Sequence, residues 1–230
     1  MAIDEAILNE VNNGQSPPTL RFYQWDQPTI SLGYFQKIDQ HKQQDTQITD
    51  MPVVRRQTGG GAILHDDELT YSLILPTTNK SAAAIEDMYT LVHACYIKAM
   101  ATWNIPIQYR GTSDDGNSQR GPFFCFARGH KLDLVIADDK VLGSAQRRLN
   151  NAVLQHGSLI LKRHYQQQPC AEIKKICPEF DTNIFMQDTA NLIAIQLDMN
   201  IEHESITPNE KNLATELQNK YSGDNWNAQR

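Results

Sequence analysis

The sequence lacks an apolar run of the length that a membrane span requires, and its first residues lack the hydrophobic stretch of a signal peptide. Both absences point to a cytoplasmic protein with no membrane role. Positive charge is also short: 21 Lys and Arg against 27 Asp and Glu leave a net charge of −6, so no global field draws nucleic acid or anionic lipid. Only local doublets, Arg55-Arg56, Arg147-Arg148 and Lys162-Arg163, remain to meet an acidic protein partner. Cysteine is scarce. The four present, Cys95, Cys125, Cys170 and Cys177, form no CxxC pair and no zinc-ligand spacing, so no metal site is expected. A cytoplasmic setting also argues against structural disulfides. Cys95 reads as core, while Cys170 and Cys177, seven residues apart in a helical-looking segment, are expected to share a face.

What is present suits one globular domain: 230 residues, 40% apolar and 21% charged. Helical spacing of Ile3, Ile7 and Val11 predicts a helix over 2–13, stopped by Gly14. Strands are expected at Leu20–Trp25, Thr29–Phe35, Pro52–Arg56, Ala62–His65, Leu69–Leu75 and Ile105–Tyr109, with partial helix over 37–50 and a long helix over 83–103. Arg110–Gly121 has no apolar period and reads as a mobile surface loop. Further strands follow at Phe123–Phe126, Leu132–Ile136, Val141–Gln146 and Ala152–Leu161, then helix over 168–221, with Pro208 suited to a helix start. No repeat, linker or low-complexity tract interrupts the order. The fold class expected is α+β (mixed α/β).

Three stretches carry candidate chemistry. In Arg55-Arg56-Gln57-Thr58-Gly59-Gly60-Gly61 the triple glycine lets the backbone approach a ligand, and its N–H groups can converge on an oxygen. The two arginines before it are suited to a phosphate, and His65 follows close behind. A triple glycine alone is more often a plain loop. In Lys140-Val141-Leu142-Gly143-Ser144-Ala145 a lysine precedes small residues, which fits one cation aimed at a ligand oxygen or an ordinary surface lysine. In Gln155-His156-Gly157-Ser158 the histidine reads most simply as a satisfied core residue.

Taken in order, RRQTGGGAILHD, KVLGSAQRR and LQHGSLIL resemble the lipoate-protein ligase/octanoyltransferase family, and RFYQWDQPTISLGYFQ, HDDELTYSLIL and KYSGDNW fit it too. The resemblance covers nearly the whole chain. It implies the fold shared with biotin-protein ligases, a mixed sheet flanked by helices, with a bent hydrophobic tunnel for an acyl chain. It also implies one catalytic domain over 1–230 that lacks the family's first strand and carries no accessory C-terminal domain. The likeness is nearest to the short cysteine-dependent octanoyltransferases. Cys125 stands 15 residues before Lys140, where that branch places its nucleophile. The arrangement departs from the branch at Ala127-Arg128-Gly129-His130, where a DAPS-like stretch is usual.

The implied function is transfer of an octanoyl or lipoyl group, through a Cys125 thioester, to a lysine of an acceptor protein. Acyl carrier protein is the implied donor, and glycine-cleavage H protein or a dehydrogenase lipoyl domain the implied acceptor. Cys125 and Lys140 are the implied catalytic pair, since thioester exchange needs a thiolate and a neighbouring cation stabilises one. Substrate contacts are implied at Arg55, Arg56, Thr58, Gly59, Gly60, Gly61, His65, Gly143, Ser144, Ala145, His156 and Gly157. No cofactor is expected. ATP and Mg enter only in the alternative, a lipoate-protein ligase acting through lipoyl-AMP. A biotin-protein ligase would share the fold, but its arginine-interleaved glycine loop is not present. A carrier-binding homologue without catalysis would fit if Cys125 were not the nucleophile.

Overall fold

The computed structural model describes residues 1–77, 81–113 and 121–230, so most of the predicted loop Arg110–Gly121 lies outside the described residues. Nine strands and eight helices are found among them. The strands are β1 Thr19–Tyr23, β2 Thr29–Leu32, β3 Val53–Arg55, β4 Ile63–His65, β5 Glu68–Pro76, β6 Gln108–Tyr109, β7 Leu134–Ile136, β8 Asp139–Arg148 and β9 Ala152–Ile160. The helices are α1 Ala2–Asn12, α2 Ile38–Lys42, α3 Thr46–Thr49, α4 Ala82–Ala101, α5 Ile173–Ile176, α6 Thr182–Leu197, α7 Pro208–Ser222 and α8 Asp224–Asn227. The expected α+β class is the one observed. No described helix is long and apolar enough to cross a membrane.

Six strands form one antiparallel sheet in the order β1-β5-β9-β8-β7-β6. Its central strands are covered on both faces, which is why β9 is buried at every position. On one face α4 places Met88, Val92, Cys95, Tyr96 and Ala99, spaced for a single helix stripe, against Leu69, Tyr71 and Leu73 of β5. On the other, Ile7, Leu8 and Val11 of α1 pack on Ile74, Ala152 and Leu154. Strand residues of opposite parity serve the two layers, as the two-residue period demands. A second sheet, β3-β2-β4, joins parallel and antiparallel pairs around Ile30, Leu32, Leu64 and Phe124.

The segment 168–221 is not continuously helical. Helix α5 has only four residues, and 198–207 separates α6 from α7. The restart is local chemistry: Thr207 and Glu210 form a reciprocal capping box with Pro208 in the first turn. Cys170 and Cys177 consequently share no helix face. Cys170 packs with Ile63, Phe126 and Ile160, while Cys177 lies in the main core. The strand expected over Ile105–Tyr109 is confined to Gln108–Tyr109.

Candidate active site

Strand register brings the second and third stretches together. Strands β8 and β9 pair Gly143 with Ser158, Ser144 with Gly157 and Ala145 with His156. The glycine loop runs between β3 and β4 and is locked to the Cys125 segment by two backbone bonds: Ala62 N donates to Phe123 O at 2.8 Å, and Cys125 N to Ala62 O at 2.7 Å. The strand expected over Phe123–Phe126 is instead a single bridge followed by a 3-10 turn, Cys125–Ala127. A strand would set Phe124 and Phe126 on one face. The turn sends Phe124 to the small-sheet core and Phe126 to the Ile63–Ile160 cluster, and leaves Cys125 at a cavity wall. Gly61 permits the close approach, since a Cβ there would meet Cys125 N at 2.8 Å.

Lys140 reaches this turn from β8. Its Nζ lies 3.6 Å from Cys125 Sγ and 3.4 Å from Cys125 O. It pairs with Asp133 Oδ2 at 2.8 Å, the two side chains only 4% and 7% exposed. Burial pushes the lysine toward its neutral form, but the charges of Cys125 and Asp133 outweigh that and hold its pKa above the usual lysine value. The side chain folds back over its own strand, in space that Gly143 leaves free: a Cβ there would sit 2.4 Å from Lys140 Cε and 2.7 Å from Nζ.

Two cavities meet at Cys125. Gly59, Gly60, Cys125, Ser144 and Ala145 border both. The inner one, of about 40 Å³, continues past Ile63, His156 and Gly157 to Tyr23, Trp25, His65 and Thr70. The outer one is an open cleft of about 1230 Å³ whose walls include Tyr89, Arg128, His130, Asp133, Lys140 and Arg147. At the inner end the Trp25 ring stacks on His65 at 4.0 Å, and its Nε1 donates to Thr70 Oγ1 at 3.1 Å. His65 contacts Glu68 Oε1 and Ser31 Oγ, each at 2.7 Å. Thr58 and His156 meet at 2.7 Å, and burial drops His156 to about 3, so its ring is neutral at physiological pH.

The two arginines do not offer their charge to a phosphate. Arg55 is fully buried, and its guanidinium donates to the carbonyls of Gly33, Tyr34, Gln36, Trp226 and Asn227. Arg56 NH1 and NH2 donate to the carbonyls of Ser31, Gly59 and Gly61, and burial lowers its pKa to about 10. A cation placed beneath a loop of inward-turned carbonyls holds the loop's shape. Arg56 still borders the inner cavity, while Arg55 lies away from both.

Sequence reasoning missed Asp133, Trp25 and the support beneath Ser144. That support is a directed chain. His93 Nδ1 donates to Leu132 O at 2.6 Å, so its Nε2 accepts from Ser144 Oγ at 2.7 Å. Tyr71 OH then donates to Ser144 Oγ at 2.7 Å and accepts from Gln155 Nε2 at 2.8 Å. Burial lowers His93 to about 4 and keeps it neutral. Asp133 comes into view only with the tight β7–β8 turn, where Ala137 and Asp138 both take positive φ and the hairpin brings Lys140 back beside the strand that Asp133 leads. No described group of three or more His, Cys, Asp or Glu is arranged to hold a metal.

Known proteins resemble this chain in sequence and in fold. A relative named octanoyltransferase LipM in Oceanobacillus iheyensis is 38% identical over 168 residues, 72% of this chain and 60% of that protein. The first such relatives are thus matched over about 60% of their own length. Another LipM octanoyltransferase, from Clostridioides difficile, is 30% identical over 100% of this chain and 94% of its own. Among solved structures, a putative lipoate protein ligase from T. acidophilum superposes with a TM-score of 0.81 at 21% identity, over 100% of this chain and 92% of that one, which supports the fold. The model of the lipoyl protein ligase A/B catalytic domain matches residues 1–182, and the chain belongs to that family.

Proposed function

We propose that this chain is an acyltransferase of the cytoplasm that takes octanoyl from acyl carrier protein onto Cys125 and passes it to a lysine of a lipoyl-domain acceptor. Glycine-cleavage H protein and dehydrogenase lipoyl domains are the acceptors this chemistry serves. The observation that carries the reading is Cys125 Sγ lying 3.6 Å from the buried Lys140 ammonium, where an inner cavity opens into a cleft. The family and the LipM relatives support the same choice.

In the first step the Cys125 thiolate attacks the donor thioester carbonyl; the new S–C bond forms, and the carrier's thiolate leaves and takes up a proton. In the second, the acceptor's neutral amine attacks the Cys125 thioester, losing a proton to water as Cys125 leaves as thiolate. Lys140 stabilises negative charge at the same place in both steps: on sulfur before attack and on the carbonyl oxygen during it. A thioester arrives activated, so the reading needs neither nucleotide nor metal. The acyl tail belongs in the inner cavity. Its 40 Å³ holds about three water-sized groups, so an eight-carbon tail enters only if the walls move. The partly exposed Trp25, held by one stack and one hydrogen bond, is the wall best suited to yield.

The test is acceptor modification in two mixtures, one with octanoyl-acyl carrier protein and no nucleotide, the other with free lipoate and Mg-ATP. The first should modify the acceptor. Modification in the second alone would make the chain a ligase working through lipoyl-AMP and overturn the proposal.

A further inference from the structure

We infer that Asp133 is a positioning residue for the second half-reaction, holding the Lys140 ammonium beside the acyl group once the Cys125 charge has been consumed. The inference rests on the octanoyl-transfer reading and adds a role for a carboxylate that the two-residue mechanism leaves idle.

The charge around Lys140 changes through the cycle. In the thiolate form that the transfer reading requires, Cys125 Sγ at 3.6 Å and the Asp133 carboxylate at 2.8 Å both face the buried Lys140. Thioester formation neutralises the first. A buried ammonium left without a counter-charge gives up its proton, because burial penalises the charged form. Lys140 would then be neutral at the stage when the thioester carbonyl needs a cation. Asp133 prevents this, since its charge does not change between the two steps.

Its carboxylate is also fixed in place. Oδ2 accepts from the His130 backbone N–H at 2.9 Å, Asp133 N donates back to His130 O at 2.9 Å, and Arg110 N donates to Asp133 O at 2.9 Å. The ammonium is therefore held by a carboxylate whose own position the backbone fixes. Of its three N–H donors one serves Asp133, one the Cys125 carbonyl and one Cys125 Sγ, and acylation of the sulfur frees the third for an acyl oxygen. Asp133 carries a cost in the first half-reaction, because a fixed anion beside a forming thiolate opposes it. A residue that hinders the first step slightly and enables the second is expected to show unequal effects on the two.

The experiment separates the half-reactions in Asp133→Asn, which keeps shape and loses charge. Acylation of Cys125 by octanoyl-acyl carrier protein is followed by intact mass in a single turnover. Release of the pre-loaded octanoyl group to acceptor is followed separately. Acylation should stay within about threefold of wild type, release should slow tenfold or more, and acyl-enzyme should accumulate in steady state. Equal slowing of both steps, the result of a merely structural role, overturns the assignment, as does unchanged release. If Asp133→Asn does not fold by thermal melt, Asp133→Ser is read by the same criterion. Absence of acyl-Cys125 in the wild type would overturn the transfer reading itself, whereas unequal slowing in the opposite sense would overturn only the role of Asp133.

Discussion

Gly143 lacks a side chain at the point where Lys140 folds back over β8, and that gives a probe of the lysine without touching it. A methyl at Gly143 would sit 2.4 Å from Lys140 Cε. The atoms in the way are the far end of a flexible chain, so the lysine moves and the strand does not. Gly143→Ala should melt close to wild type, yet lose most octanoyl transfer. The loss should approach that of Lys140→Ala, which is expected to be about a hundredfold, typical for removal of one oxyanion-stabilising donor. Kinetics beside a melting curve check this, and wild-type turnover in Gly143→Ala would contradict the folded-back lysine. At this scale Cys125 and Lys140 were legible only through long motifs, because nothing in Phe124-Cys125-Phe126 distinguishes a nucleophile from a core thiol. Asp133 stayed hidden for another reason. A single carboxylate at the head of an apolar strand looks like a solvent-facing residue until the hairpin turns it toward Lys140.

Elements were read best where pattern and cap agreed, as in α4 and in α7 with its capping box. They were misread where tertiary contacts override alternation, as at the turn Cys125–Ala127, where Phe124 just before it and Phe126 within it enter different clusters. The arginine pair is the clearest such case. In the sequence it is a basic doublet before a glycine loop; in the fold Arg55 ties β3 to the 33–36 segment and to α8. Its backbone joins in, with Arg55 N donating to Asn227 Oδ1 at 2.8 Å and Trp226 Nε1 donating to Arg55 O at 2.7 Å. Arg55→Met would leave several buried carbonyls unpaired, at a cost of about 1–3 kcal/mol for each group so exposed to an apolar setting. The expected outcome is a loss of about 3 kcal/mol or more in a urea titration, with the KM for octanoyl donor unchanged in the protein that remains folded. A raised donor KM with unchanged stability would restore the phosphate-binding role.

Across the whole molecule, an acidic chain of net charge −6 gathers cations around one cysteine: Lys140 at 3.6 Å, with Arg56 and Arg128 each close enough to feel its charge. The same fold keeps two buried histidines neutral. His93 and His156 are lowered by burial to about 4 and about 3, against an ordinary value of 6.5. In the unfolded chain both take up protons below pH 6.5, whereas the native rings do not until pH 4 or below, so stability falls as pH drops through that window. Melting temperature should decline from pH 6.5 to 4, and His93→Gln should decline less steeply; parallel curves would argue against a neutral buried ring. The central claim is the covalent one. The direct measurement is the intact mass of the chain after incubation with octanoyl-acyl carrier protein in the absence of nucleotide. The account predicts one added octanoyl group, located on Cys125, removed by hydroxylamine and absent from Cys125→Ser. A Cys125→Ser protein that acquires the group, or transfers it to acceptor at the wild-type rate, would contradict it.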